Sequence, residues 1–92
     1  MLDPINRRDP DLCRQIRRAA SSVAMCLDEG SQRAGADGLH MYRVAAGSAA
    51  EVRTALALAT TWGYVTEKSA GPARTLFDRV VGIIWRLTHP KR

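Results

Sequence analysis

Three arginines carry the sharpest chemistry in this chain. Arg14 and Arg18 stand four residues apart, with Arg17 beside them. On a helix that spacing gathers three guanidinium groups within about one turn. Each guanidinium is a planar fork of donors, so the cluster suits two or three phosphate groups. Arg33 and Arg43 extend the candidate nucleic-acid-binding set, and Arg7, Arg8 and Arg53 add to the basic character. The competing reading is structural: one arginine pairs with Glu29 or Glu51 and the others are solvated.

Other reactive residue types lack the company that chemistry needs. Glu29 and Glu51 could form an acid–base pair, but no nucleophile or metal-ligand pattern accompanies them, so ion pairs or helix-end hydrogen bonds are expected. Ser48 follows Gly47 inside a helical pattern, not on the strand-to-helix elbow of a serine hydrolase. His40 stands near a helix start, where capping or exposure is the simpler role. Gly35 and Gly38 lack the spacing and the lysine of a phosphate loop. Trp62, Tyr64 and Trp85 could stack on bases, yet their apolar neighbours favour packing. Cys13 and Cys26 lie about 20 Å apart on one predicted helix, too far to bond within the chain. With His40 and His89 they complete no metal spacing. No cofactor and no catalytic residue are expected, and the reading is of a protein that is not an enzyme.

The balance of the 92 residues is basic, +5, and arginine supplies nearly all of it; Lys68 and Lys91 are the only lysines. Such a charge permits binding to nucleic acid without demanding it. The 46% apolar share is ordinary for a folded domain. Much of it is alanine and little is aromatic, which favours closely packed helices. No signal peptide and no bilayer-length apolar run is legible, so a cytoplasmic protein with no membrane partner is expected.

Helical periodicity then positions the arginines. Ile16, Ala19, Ala20, Val23 and Leu27 recur at spacings of three and four, on one face of a helix predicted over about 10–29. Asp9 and Pro10 read as N-cap and first helical residue, and Gly30 as a left-handed C-terminal cap. A second helix is predicted over about 38–62, started by Asp37 after a loop over 31–37. Its seam is Tyr42, Ala45, Ala49, Val52, Leu56 and Ala59, mostly small, with Gly47 allowing a tight helix crossing. Gly63 ends it, and Tyr64 and Val65 fold back over the seam. A third helix is predicted over about 72–88, with Pro72 first and Pro90 as the stop. Leu76, Phe77, Val80, Val81, Ile83, Ile84, Trp85 and Leu87 cover more than half its circumference, more than one neighbour buries. An uncovered stripe of that kind marks an interaction surface. Residues 1–8 show no periodicity. The chain reads as one all-α domain, an antiparallel up-and-down bundle.

Two stretches resemble a known family. Gln15-Ile16-Arg17-Arg18-Ala19-Ala20, then Ser22-Val23 and Glu29-Gly30, are similar to the first signature of a bacterial four-helix-bundle family. Its founders are encoded in intervening sequences of the large-subunit ribosomal RNA. Ala46-Gly47-Ser48, Glu51, Leu58-Ala59 and Trp62-Gly63-Tyr64-Val65 resemble its second signature. The superfamily includes the accessory variability protein of diversity-generating retroelements. Where the family has asparagine and a small residue before Glu-Gly, this chain has Cys26 and Asp28. The family's first helix precedes the Gln-Arg-Arg signature, so here it is expected to be short or missing, leaving a groove.

The resemblance implies a homo-oligomer, commonly a pentameric ring, with a basic surface for RNA or DNA. It also implies a reverse transcriptase as a partner in the retroelement branch. Gln15, Glu29, Gly30, Gly47, Ser48, Glu51, Gly63 and Tyr64 take structural roles in that resemblance. The expected function is non-catalytic nucleic-acid binding on an arginine-rich face. The alternative is a protein-interaction scaffold or accessory subunit.

Overall fold

A computed structural model describes residues 2–90. Four helices follow one another: α1 (Leu2–Arg8), α2 (Pro10–Gln32), α3 (Gly35–Thr61) and α4 (Glu67–Thr88). The described residues contain no strand. α3 is the central element, with α2 and α4 packed against it and α1 against α2.

The junction of α1 and α2 is nearly continuous. The Asp9 amide donates to the Ile5 carbonyl at 2.7 Å, as in an unbroken helix. Asp9 itself leaves helical geometry, and its carboxylate accepts from the Leu12 amide at 3.0 Å. Asp9 and Pro10 thus start α2 as the sequence indicates. The unpatterned residues before them form α1, a helix of only 7 residues. Too short to show periodicity, it is fixed by Ile5, which is fully buried among Leu12, Cys13, Ile16 and Val65.

Three helix boundaries depart from the periodic reading. Gly30 does not cap α2. It lies inside the helix, which runs on to Gln32, and the C-cap is Arg33 in extended geometry. Gly30 serves close packing instead: a Cβ there would come within 2.8 Å of the Tyr42 ring. Gly38 faces it, where a Cβ would stand 2.6 Å from the Arg33 carbonyl oxygen. This approach compresses the expected loop to a few residues, and Gly35, at φ 65°, makes the turn. Asp37 therefore lies in the first turn of α3, and the N-cap Ala34 has no side-chain hydrogen bond. Pro72 is not the first residue of α4. Thr66 caps the helix, its hydroxyl accepting from the Ser69 amide at 3.1 Å, and Pro72 falls inside. There it leaves the Lys68 carbonyl without an intrahelical donor.

The end of α3 follows the sequence closely. The Tyr64 amide donates to the Ala59 carbonyl and the Gly63 amide to the Thr60 carbonyl, at 2.9 and 3.1 Å. Gly63 takes φ 78°, so this is a Schellman turn. Val65 folds back into the core, and Tyr64 packs against it in part. The α3 seam is buried at Ala45, Ala49, Val52, Leu56 and Ala59, with Tyr42 half-buried. Gly47 sits on the exposed side with open space around it, so it allows no close crossing within the chain.

The body is thin. Its extents are 44 × 23 × 13 Å and its radius of gyration is 14.4 Å, against about 12 Å for a compact chain of this length. α2 and α4 each pack on the central α3, and the short helix α1 adds to α2 at one end.

Candidate nucleic-acid interface

α2 carries the arginine cluster on its solvent side because its core stripe is narrow. Ile16, Ala19 and Val23 turn inward, and Arg14, Arg17 and Arg18 are exposed. Arg14 forms an i,i+3 ion pair with Asp11. Both side chains are mostly in water, so the pair contributes little to stability and leaves donors free. Among the described residues, Arg17 and Arg18 meet no carboxylate at ion-pair distance. Their charge is therefore available to a ligand.

The structure does not gather all five arginines. Arg33 lies 19 residues along α2 from Arg14, about 28 Å away at helical rise. It bonds Glu29 one turn back at 3.1 Å, so Glu29 is in the ion pair expected of it. Arg43 is exposed on α3. Ser48 meets Ser22 across the antiparallel pair, so Arg43 lies opposite the latter half of α2, away from the cluster. Arg53 reaches the other flank, where it bonds Asp78 of α4 at 2.7 Å. Beside it Arg74 bonds both oxygens of Glu67 at 2.8 Å. The structure thus keeps Arg14, Arg17 and Arg18 together on α2 and places Arg33 and Arg43 toward the other end of the α2–α3 pair.

Beside this cluster α2 and α3 leave an open polar cleft of about 410 Å³. Gln15, Arg18 and Ser22 line it from α2, and Ser48 and Glu51 from α3. The Ser48 hydroxyl donates to the Ser22 hydroxyl at 3.0 Å, tying the two helices. Ser22 also lies 3.7 Å from the Cys26 sulfur. Glu51 departs from the expectation of an ion pair: it is exposed, and no arginine or lysine is within ion-pair distance among the described residues. Arg18 thus borders both the outer basic face and this cleft.

Ser22 is a part of the cleft that the sequence reading left unassigned. Its signal was available as the i, i+3, i+7 ladder of Gln15, Arg18 and Ser22, facing Ser48 and Glu51 at i, i+3. Reading it required knowing the register of α2 against α3.

Among the described residues no group of His, Cys, Asp and Glu could hold a metal ion. Cys13 and Cys26 are both free and buried. His40 is exposed, and His89 stacks on Trp85 with ring centroids 4.4 Å apart. Trp62 meets Tyr64 edge to face. No helix among the described residues is long and apolar enough to cross a membrane.

Compared with known proteins, the chain matches the family described as 23S rRNA-intervening sequence protein, over residues 4–86. Neither a curated protein nor a solved structure matches the chain.

Proposed function

The chain belongs to the 23S rRNA-intervening sequence protein family, and on that premise we propose that it binds RNA without catalysis, through phosphate contacts on the outer face of α2. The family is not a known enzyme family. One observation carries the reading: Arg17 and Arg18 are exposed beside Arg14 with no carboxylate partner among the described residues. Three guanidinium groups within about one turn offer several forked donors, the chemistry that holds phosphate oxygens.

The test is binding of a structured RNA at several salt concentrations, with mass measured by light scattering on the same sample. Three phosphate contacts give a log–log slope of about −2 to −3. The double change Arg17→Glu with Arg18→Glu lowers affinity at least tenfold and leaves the helical circular dichroism unchanged. A flat salt response, or a double variant that binds as tightly as the parent, removes the proposal.

A further inference from the structure

Phosphate binding on α2 leaves Glu51 unexplained. This residue lines the cleft with Arg18, yet it is exposed and meets no arginine or lysine at ion-pair distance among the described residues. The hydrogen bond from Ser48 to Ser22 sets the register of the two helices. One turn on from Ser48, Glu51 comes level with Arg18, one turn back from Ser22. The cleft of about 410 Å³ therefore has two chemically different walls. α2 offers the donors of Gln15 and Arg18, and α3 offers a carboxylate, which accepts hydrogen bonds and donates none. The two serine hydroxyls bond each other, at 3.0 Å.

These walls select what enters. A phosphate is opposed by the Glu51 carboxylate and stays on the arginines outside. A group that fits must give donors to Glu51 and an acceptor to Gln15 or Arg18. Among the RNA bases, guanine has that arrangement on its Watson–Crick edge. Its N1–H and its N2 amino group point the same way, matching the two oxygens of a carboxylate, and the neighbouring O6 accepts. Adenine and cytosine set a ring-nitrogen acceptor beside a single amino donor. Uracil sets one N–H between two carbonyl oxygens. In each of these an acceptor would face the Glu51 carboxylate and oppose it.

We propose that the α2–α3 cleft receives one unstacked guanine base from a loop or single-stranded segment of RNA, with Glu51 reading its Watson–Crick edge. The proposal rests on the RNA-binding reading of α2: the arginines hold the backbone, and Glu51 adds a choice of base. Arg18 joins the two, because it borders both the outer basic face and the cleft. Phosphate contacts position an RNA without reading it, whereas unpaired bases are read on their edges.

Short single-stranded RNAs of equal length and charge test it by fluorescence anisotropy with the full chain. One is all uridine, and the others carry one central guanosine, adenosine or inosine. The guanosine RNA is expected to bind about tenfold tighter than the uridine and adenosine RNAs. Inosine keeps N1–H but lacks the amino group, and its affinity falls between. Glu51→Gln, with circular dichroism unchanged, brings the ratio of guanosine to uridine affinity close to one. Arg14→Glu with Arg17→Glu weakens every RNA and keeps the ratio. Salt-dependent binding with equal affinity for all four RNAs overturns the guanine assignment and leaves the phosphate reading standing. Absence of binding to any RNA overturns both. A guanosine preference that survives Glu51→Gln also overturns the assignment. So does light scattering in which the parent chain is a multimer that Glu51→Gln disperses, since the cleft then belongs to a contact between copies.

Discussion

Buried residues recur along α2 from Leu12 to Gly30, whereas α4 buries only Ala70 and Ile84 completely. Yet α4 is the richer of the two in large apolar side chains. The difference lies in residue size at the shared seam. α3 offers α2 a row of alanines, and α2 answers with Ala19 and Gly30, so the two backbones close on each other. α4 brings leucine, isoleucine and valine to the same central helix, and one neighbour covers only part of its circumference. Burial therefore follows from partners, not from hydropathy. The more apolar helix is the less buried one.

The widest test of this contrast uses two adjacent residues of α4. Ile84→Asp places a carboxylate in the core with no partner and is expected to cost about 4 kcal/mol or more, enough to unfold a domain of this size. Ile83→Asp changes stability by only about 0.5 kcal/mol. Urea midpoints of the two variants measure the gap, and equal midpoints would mean that α4 is not seated on α3 as described. A smaller effect sharpens the α2 side. Gly38→Ala forces a Cβ against the Arg33 carbonyl and is expected to destabilise by about 1–3 kcal/mol. A midpoint unchanged from the parent would show that the two backbones are farther apart than this. Smallest is Gly47→Ala, where nothing stands within 4 Å of the new methyl group. It is expected to stabilise by about 0.5–1 kcal/mol, because alanine loses less backbone entropy in a helix. A loss of stability there would point to a neighbour against Gly47 from outside the chain.

The contrast also explains what was legible in the sequence. The seams of α2 and α3 were readable because Ile16, Ala19, Val23 and Ala45, Ala49, Val52 repeat with the helical period, and that period is a property of the local chain. The unpartnered face of α4 was readable for the same reason. Gly30 was misread because glycine serves two purposes, a left-handed cap and a close approach, and sequence does not separate them. Only the position of Tyr42 and Gly38 decides. Pro72 was misread because the cap at Thr66 lies a full turn and a half upstream. The arginine cluster is local and was legible. The cleft that unites Gln15 and Arg18 with Ser48 and Glu51 depends on the register between two helices, which no single stretch encodes.

The slight anchoring of α1 has a kinetic consequence. This helix has 7 residues and a single fully buried side chain, Ile5. Short terminal elements held by so little open far more often than the whole molecule unfolds. Beneath α1 lies Cys13, whose sulfur sits 4.0 Å from the Leu2 carbonyl. Each opening of α1 uncovers that thiol, whereas Cys26 is enclosed by Ala45 and Ile84 at the other end of the bundle. The two thiols are then clocks for different events. Modification of Cys13 times the lifting of seven residues, and modification of Cys26 times the parting of α3 from its neighbours.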